Sequence, residues 1–228
     1  MTTKAILFDL DNTLIDRCKS ISKFSNLLYN EIGKDLINCD LSKLGNALIS
    51  LDNQGYEKRD QFFKNFIEMM EWIRKPRLIK LLNFWFVEFP ECVLPENNLL
   101  ETLASLKEKY RLGIISNSKD PTIQRKKISA LGIAPLMDVI IISNEYDIEK
   151  PDPRIFQIAL EKLKITSSEA VFVGDNPFVD IVGAEKAGLK PIWKQNQGAC
   201  WPNELKKPDN TIGQISELTN MLWLKNKL

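Results

Sequence analysis

Four short apolar runs constrain this chain most, because each one stops on polar residues where a buried strand would end. They are Ala5-Ile6-Leu7-Phe8 before Asp9-Leu10-Asp11, Leu112-Gly113-Ile114-Ile115 before Ser116-Asn117, Val139-Ile140-Ile141-Ile142 before Ser143-Asn144, and Ala170-Val171-Phe172-Val173 before Gly174-Asp175. Unbroken apolar runs of this length suit strands covered on both faces. A helix-like stretch follows each of the last three, at 122–131, 154–163 and 178–187. Turn chemistry punctuates them at Gly132, Pro153, Pro177 and Gly188. Pro191-Ile192-Trp193 reads as one further short strand. This alternation predicts the α/β class: a Rossmann-like three-layer core, with a parallel sheet between two layers of helices.

Residues 17–95 break the pattern. They contain no β-branched run of strand length, while Phe62, Phe63, Phe66, Ile67, Met70 and Ile73 recur at helical spacing over 61–73, and 81–89 is rich in aromatics. The reading is an α-helical domain, 17–95, inserted into a core made of 1–16 and 96–228, with Pro90 and Pro95 marking its exit. Of the 20 aromatic residues, 11 fall in the insert, and they read as the filling of a small helical core rather than as a wall for substrate. The basic run Arg74, Lys75, Arg77 and Lys80 reads as a solvated face.

Composition narrows the chemistry. The 228 residues include no histidine, which removes Ser-His-Asp triads, Cys-His dyads and histidine metal sites. Acid–base work falls to carboxylates, Lys, Tyr or Cys. Cys18, Cys39, Cys92 and Cys200 form no C-x-x-C pair and read as free thiols. With 31 basic against 30 acidic residues, the chain has no global field to draw nucleic acid or a membrane surface. No run has the leader pattern, and none reaches the ~18 apolar residues of a membrane span. A cytoplasmic protein without nucleic-acid or membrane partners is expected, its oligomeric state left open.

In an open parallel sheet, ligands bind beyond the carboxyl ends of the strands. Asp9 and Asp11 fall there after the first run, Ser116 and Asn117 after the second, Lys150 in the loop after the third, and Asp175 after the fourth. Any one of these alone reads as a turn or cap residue; their joint placement does not. Asp9, Asp11, Asp175 and Asp180 would crowd four negative charges together, which calls for a cation, and hard oxygen donors select Mg²⁺. Carboxylate-held Mg²⁺ with a lysine and a hydroxyl beside it describes a phosphoryl-transfer site. Neither a P-loop signature nor a G-x-G-x-x-G follows the first strand, so the acceptor is a side chain or water.

These residues stand in an order that resembles the haloacid dehalogenase superfamily of phosphohydrolases. The matching motifs are Phe8-Asp9-Leu10-Asp11-Asn12-Thr13-Leu14, Ile115-Ser116-Asn117, Lys150-Pro151-Asp152-Pro153 with Phe156, and Gly174-Asp175-Asn176-Pro177-Phe178-Val179-Asp180. The helical insert stands where that family places its first-type cap. The resemblance implies that Asp9 is the nucleophile that becomes an aspartyl phosphate, and that Asp11 is general acid and then base, with neighbouring carboxylates favouring its proton. It implies that the Asp9 carboxylate, the Asp11 backbone carbonyl and Asp175 bind Mg²⁺, with Asp180 supporting the metal. Ser116 and the Asn117 backbone would hold phosphoryl oxygens, Lys150 would neutralise charge, and Thr13 would fix the loop.

The expected activity is Mg²⁺-dependent hydrolysis of a small phosphorylated metabolite. A phosphomutase and a non-catalytic binding protein stay open as alternatives, and a phosphonate hydrolase is unsupported. Asp11 argues against a dehalogenase, whose first motif lacks that second aspartate. Specificity is expected from Asp16 and Arg17, and from Tyr56 and Arg59 beyond the turn Asp52-Asn53-Gln54-Gly55, Arg59 being either an anion ligand or an idle exposed side chain.

Overall fold

The structure, a computed structural model, describes residues 2–221. The chain divides into two compact units, one being Asp16–Leu94 and the other the segments before and after it.

The second of these is the α/β unit. Its strands are β1 (Ala5–Phe8), β2 (Arg111–Ser116), β3 (Val139–Ile142), β4 (Ala170–Gly174), β5 (Lys190–Lys194) and β6 (Thr211–Ile212). They form one parallel sheet in the order β3-β2-β1-β4-β5-β6. Every residue of β1 and β4 is buried, as strands covered on both faces must be. Leu7, Ile115, Ile141 and Phe172 pack on one side with Ile155, Phe156 and Ala159.

The last three of those residues belong to the helix Pro153–Leu163, which starts with Pro153 just inside a cap from Asp152 to the Arg154 amide. The helix Pro121–Ala130 starts the same way, with Asp120 capping Thr122. After β4, the stretch expected as one helix over 178–187 is a π-type turn, Pro177–Ile181, that runs into a short α-helix, Val182–Lys186. It ends at Gly188, whose φ of +80° suits glycine. Among the elements unread in the sequence are the helix Leu99–Lys107 before β2 and the two-residue edge strand β6.

Successive strands from β1 run to β2 and β3 on one side, and the chain then crosses back to place β4 on the other side of β1. The order therefore reverses between β1 and β4, and ligands bind in the crevice that such a reversal opens at the carboxyl ends.

The other unit is all helical: α1 (Arg17–Ile32), α2 (Leu41–Asp52), α3 (Arg59–Met69) and α4 (Leu78–Cys92). In chain order the helices of the α/β unit are then α5 (Leu99–Lys107), α6 (Pro121–Ala130), α7 (Pro153–Leu163) and α8 (Val182–Lys186). Asp16 caps α1 and Asp40 caps α2, each through the amide three residues on. Phe24, Phe62, Phe63, Phe66, Trp85 and Phe89 form a continuous aromatic core, so these residues do fill a small bundle.

Two expectations here are corrected. Ile73 is 71 % exposed and lies beyond α3, which stops at Met69. Pro90 is inside α4 rather than in a linker. The basic run is surface, with Arg74 on Asp35 and Lys80 on Glu31. Among the described residues, no helix is long and apolar enough to cross a membrane.

Candidate active site

The reversal point collects carboxylates. Asp9 continues β1, and its amide donates to the Val173 carbonyl of β4. Asp175 follows β4, and the buried Trp193 of β5 holds its backbone, Nε1 donating to the Asp175 carbonyl at 2.9 Å. Asp180 comes from the π-type turn and accepts from the Asn176 amide. That turn packs so close to the end of β4 that a Cβ on Gly174 would stand 2.5 Å from the Asp180 side chain, so only glycine fits. The carboxylates of Asp9, Asp175 and Asp180 place oxygens within 4.8 Å of one another, and all three residues are buried.

Lys150 balances part of this charge. Its Nζ lies 2.6 Å from Asp9 Oδ1 and 2.7 Å from Asp180 Oδ1. Burial by itself would favour the neutral amine, but Asp180 and Asp9 reverse this and hold the ammonium well above the ordinary lysine range. Asn117 fixes the Lys150 backbone at two points: its Nδ2 donates to the Lys150 carbonyl, and its Oδ1 accepts from the Lys150 amide, both at 2.8 Å. That use of the Asn117 side chain was not legible in the sequence.

Asp9 remains under electrostatic pressure. Burial pushes its carboxyl well above the usual range, Lys150 opposes, and Asp180 and Asp175 push it up further. Three clustered carboxylates, two of them on the Lys150 ammonium, offer oxygen donors only and fit a hard divalent cation, which would relieve that pressure.

Asp11, the fourth acid expected there, is positioned from another element. It stands outside the cluster of three and is held by α6. Lys127 Nζ contacts Asp11 Oδ1 at 2.8 Å and Oδ2 at 3.0 Å. Gln124 Nε2 donates to Asp11 Oδ2 at 2.9 Å and to Ser116 Oγ at 2.7 Å. A cation and an amide thus contact its carboxylate directly. Gln124 and Lys127 were missed in the sequence, although a signal existed: two polar residues at i and i+3 occupy the buried face of α6 beside Ile128.

Thr13 is fully buried, and its hydroxyl has no hydrogen-bond partner among the described residues. The loop is tied instead through Asn12, which adopts a left-handed φ of +62° and whose carbonyl accepts from Asn196 Nδ2.

The residues expected to set specificity lie in the helical unit. Asp16 caps α1, and Tyr56 is exposed. Arg17 and Arg59 both grip Asp52: Arg17 Nε and Nη2 donate at 2.5 and 2.8 Å, and Arg59 Nη1 at 2.9 Å. Asp52 is 2 % exposed, and Arg59 is no idle exposed side chain. Burial would raise the Asp52 carboxyl, but its bonds to Arg17 and the two guanidinium charges hold it below the usual range.

The family model described as haloacid dehalogenase-like hydrolase matches residues 6–194. A glyceraldehyde 3-phosphate phosphatase of Methanothermobacter thermautotrophicus is 34 % identical over 196 residues, covering 83 % of this chain and 84 % of that protein. A phosphoserine phosphatase of Thermus thermophilus is 35 % identical over 121 residues, covering 52 % of this chain and 48 % of that one. In structure, the HAD-hydrolase YfnB of Bacillus subtilis, solved bound to magnesium, superposes with a TM-score of 0.74 at 19 % identity, covering 96 % of this chain and 98 % of that one.

Proposed function

Because the chain belongs to the haloacid dehalogenase-like hydrolase family, we propose that it is a phosphatase that releases inorganic phosphate from a small phosphorylated metabolite, with Mg²⁺ and an aspartyl phosphate on Asp9. The observation that carries the proposal is the buried group of Asp9, Asp175 and Asp180, with Lys150 on two of them, at the point where the strand order reverses. Relatives that are named as phosphatases support the activity.

In this reading a carboxylate oxygen of Asp9 attacks phosphorus, and the bond from phosphorus to the substrate oxygen breaks. Asp11 gives its proton to that leaving oxygen. Water then attacks the phosphorus of the aspartyl phosphate, Asp11 takes the water proton, and the bond to Asp9 breaks to free phosphate. Lys150 holds Asp9 in place and offsets negative charge at the transferring group. Ser116 and the Asn117 backbone bind phosphoryl oxygens. The Asp9 and Asp175 carboxylates and the Asp11 carbonyl are the proposed Mg²⁺ ligands, with Asp180 in support. Mg²⁺, when bound, supplies a Lewis acid for the developing charge.

The helical unit Asp16–Leu94 is, on this proposal, the family's inserted cap and the source of specificity. A phosphomutase needs cations for a second phosphate; Arg17 and Arg59 are engaged by Asp52, which favours hydrolysis. The test is phosphate release with Mg²⁺ from a panel of monophosphates that includes glyceraldehyde 3-phosphate and phosphoserine. Borohydride trapping during turnover should convert Asp9 to homoserine. Bisphosphate-dependent isomerisation without phosphate release would replace the hydrolase by a mutase.

A further inference from the structure

We propose that Lys127 and Gln124 are positioning residues for Asp11, holding its carboxylate off the Asp9–Asp175–Asp180 cluster and aligned for proton transfer; the inference rests on the phosphatase reading above. Asp11 lies two residues from Asp9 in one loop, and a fourth carboxylate in that loop would be a ready ligand for the cation. A metal-bound carboxylate oxygen is a poor proton carrier, because the cation competes for the same lone pair. The structure shows what opposes that capture.

The Lys127 ammonium bridges both oxygens of Asp11, and the Gln124 amide adds a third bond, to Oδ2. Three bonds on two oxygens fix the plane of the carboxylate as well as its position. The Lys127 side chain is 10 % exposed on the inward face of α6, where an apolar residue would pack without the cost of burying a charge. Packing therefore does not account for a lysine here, and Asp11 does.

Gln124 adds a second function. The ionised Asp11 carboxylate only accepts hydrogen bonds, so in that state the Gln124 group facing it is the NH₂, and the same nitrogen donates to Ser116 Oγ. With that lone pair engaged, the Ser116 hydroxyl hydrogen is left to be donated to a phosphoryl oxygen. One helix face thus sets the geometry of the proton carrier and of a phosphate donor together.

The test compares kcat/KM for an alkyl phosphate with that for p-nitrophenyl phosphate. The ratio kcat/KM reports steps only through transfer to Asp9, and p-nitrophenolate leaves without needing a proton. Lys127→Met keeps the length of the stem and drops the charge. It should lower kcat/KM on the alkyl phosphate by at least ~30-fold and on p-nitrophenyl phosphate by less than ~3-fold. Lys127→Arg should restore most of the loss. Gln124→Met should show the same preference for the activated ester to a smaller degree, and it decides the question if Lys127→Met does not fold. Equal losses on both esters, or no loss on either, would overturn the proposal while the phosphatase reading stands. A wild-type protein that releases phosphate from neither ester would overturn that reading and this inference with it.

Discussion

Asp9 in the α/β unit and Asp52 in the helical unit are both buried aspartates held by cations, yet the charge around them is unbalanced in opposite senses. Asp9 shares one lysine with Asp180 and stands beside Asp175, so acids outnumber the cation that contacts them. Asp52 alone receives two arginines. The helical unit disposes of its surplus internally: the Arg59 guanidinium lies 4.7 Å from the Phe62 ring centroid and 4.9 Å from Trp85, and Arg17 lies 5.4 Å from Phe89. Aromatic faces stabilise partly desolvated cations by about 0.5–2 kcal/mol each. The acidic cluster has Phe172 beside Lys150, which favours the ammonium and does nothing for the carboxylates. Two cations on one acid hold a fold together, whereas three clustered carboxylates offer oxygen donors to a cation.

The comparison is broken most severely at Asp9. Asp9→Asn removes the attacking charge at nearly constant size. Phosphate release should fall by at least ~1000-fold while circular dichroism stays unchanged. A variant with turnover near that of the wild type would end the covalent proposal.

Metal removal sharpens it next. EDTA should abolish phosphate release and Mg²⁺ should restore it. At a concentration ~100 times its Kd, Mg²⁺ should also stabilise the fold by about 2.7 kcal/mol, visible as a rise in Tm. Asp175→Ala should need far more Mg²⁺ for the same rise. An unchanged Tm shift in that variant would remove Asp175 from the ligand set.

In the helical unit, Asp52→Ala leaves two half-buried guanidiniums without their acid. A loss of about 3–5 kcal/mol is expected. Hydrogen exchange should show it as lost protection across Asp16–Leu94, with β1 to β5 unaffected. The folded-state carboxyl of Asp52 is held below its unfolded value, so its contribution is full above the unfolded pKa of about 3.9 and fades as pH falls toward the folded value. Protection of the helical unit should therefore drop below about pH 4 in the wild type, and Asp52→Asn should flatten that dependence.

The smallest effect tests the aromatic surroundings. Phe89 stacks on Trp85 with centroids 3.9 Å apart and planes at 10°. Phe89→Leu keeps an apolar filler and gives up the ring contacts, at a cost of about 1 kcal/mol in urea unfolding. Phosphate release should be preserved.

The sequence by itself determined the strands of the core and the residues at their exits. A strand covered on both faces has to be apolar throughout, so β1 and β3 could be bounded to the residue, and ligand-binding side chains are expected beyond the ends of such runs. Helicity of the insert was legible for a similar reason, since an amphipathic period is local. The edge strand β6 left no trace, because two residues are too short for any period. Side-chain partnerships were decided only in the tertiary structure. Asp52 closes a sequence that reads as a turn, and one of its arginines comes from 35 residues away. Lys127 meets Asp11 across 116 positions and Gln124 meets it across 113. Local spacing places a residue on a face of its own element. Which charge it finds there depends on where the sheet order and the helix packing bring distant faces together, and that is why the motif residues were legible while the side chains that contact Asp11 and Asp52 were not.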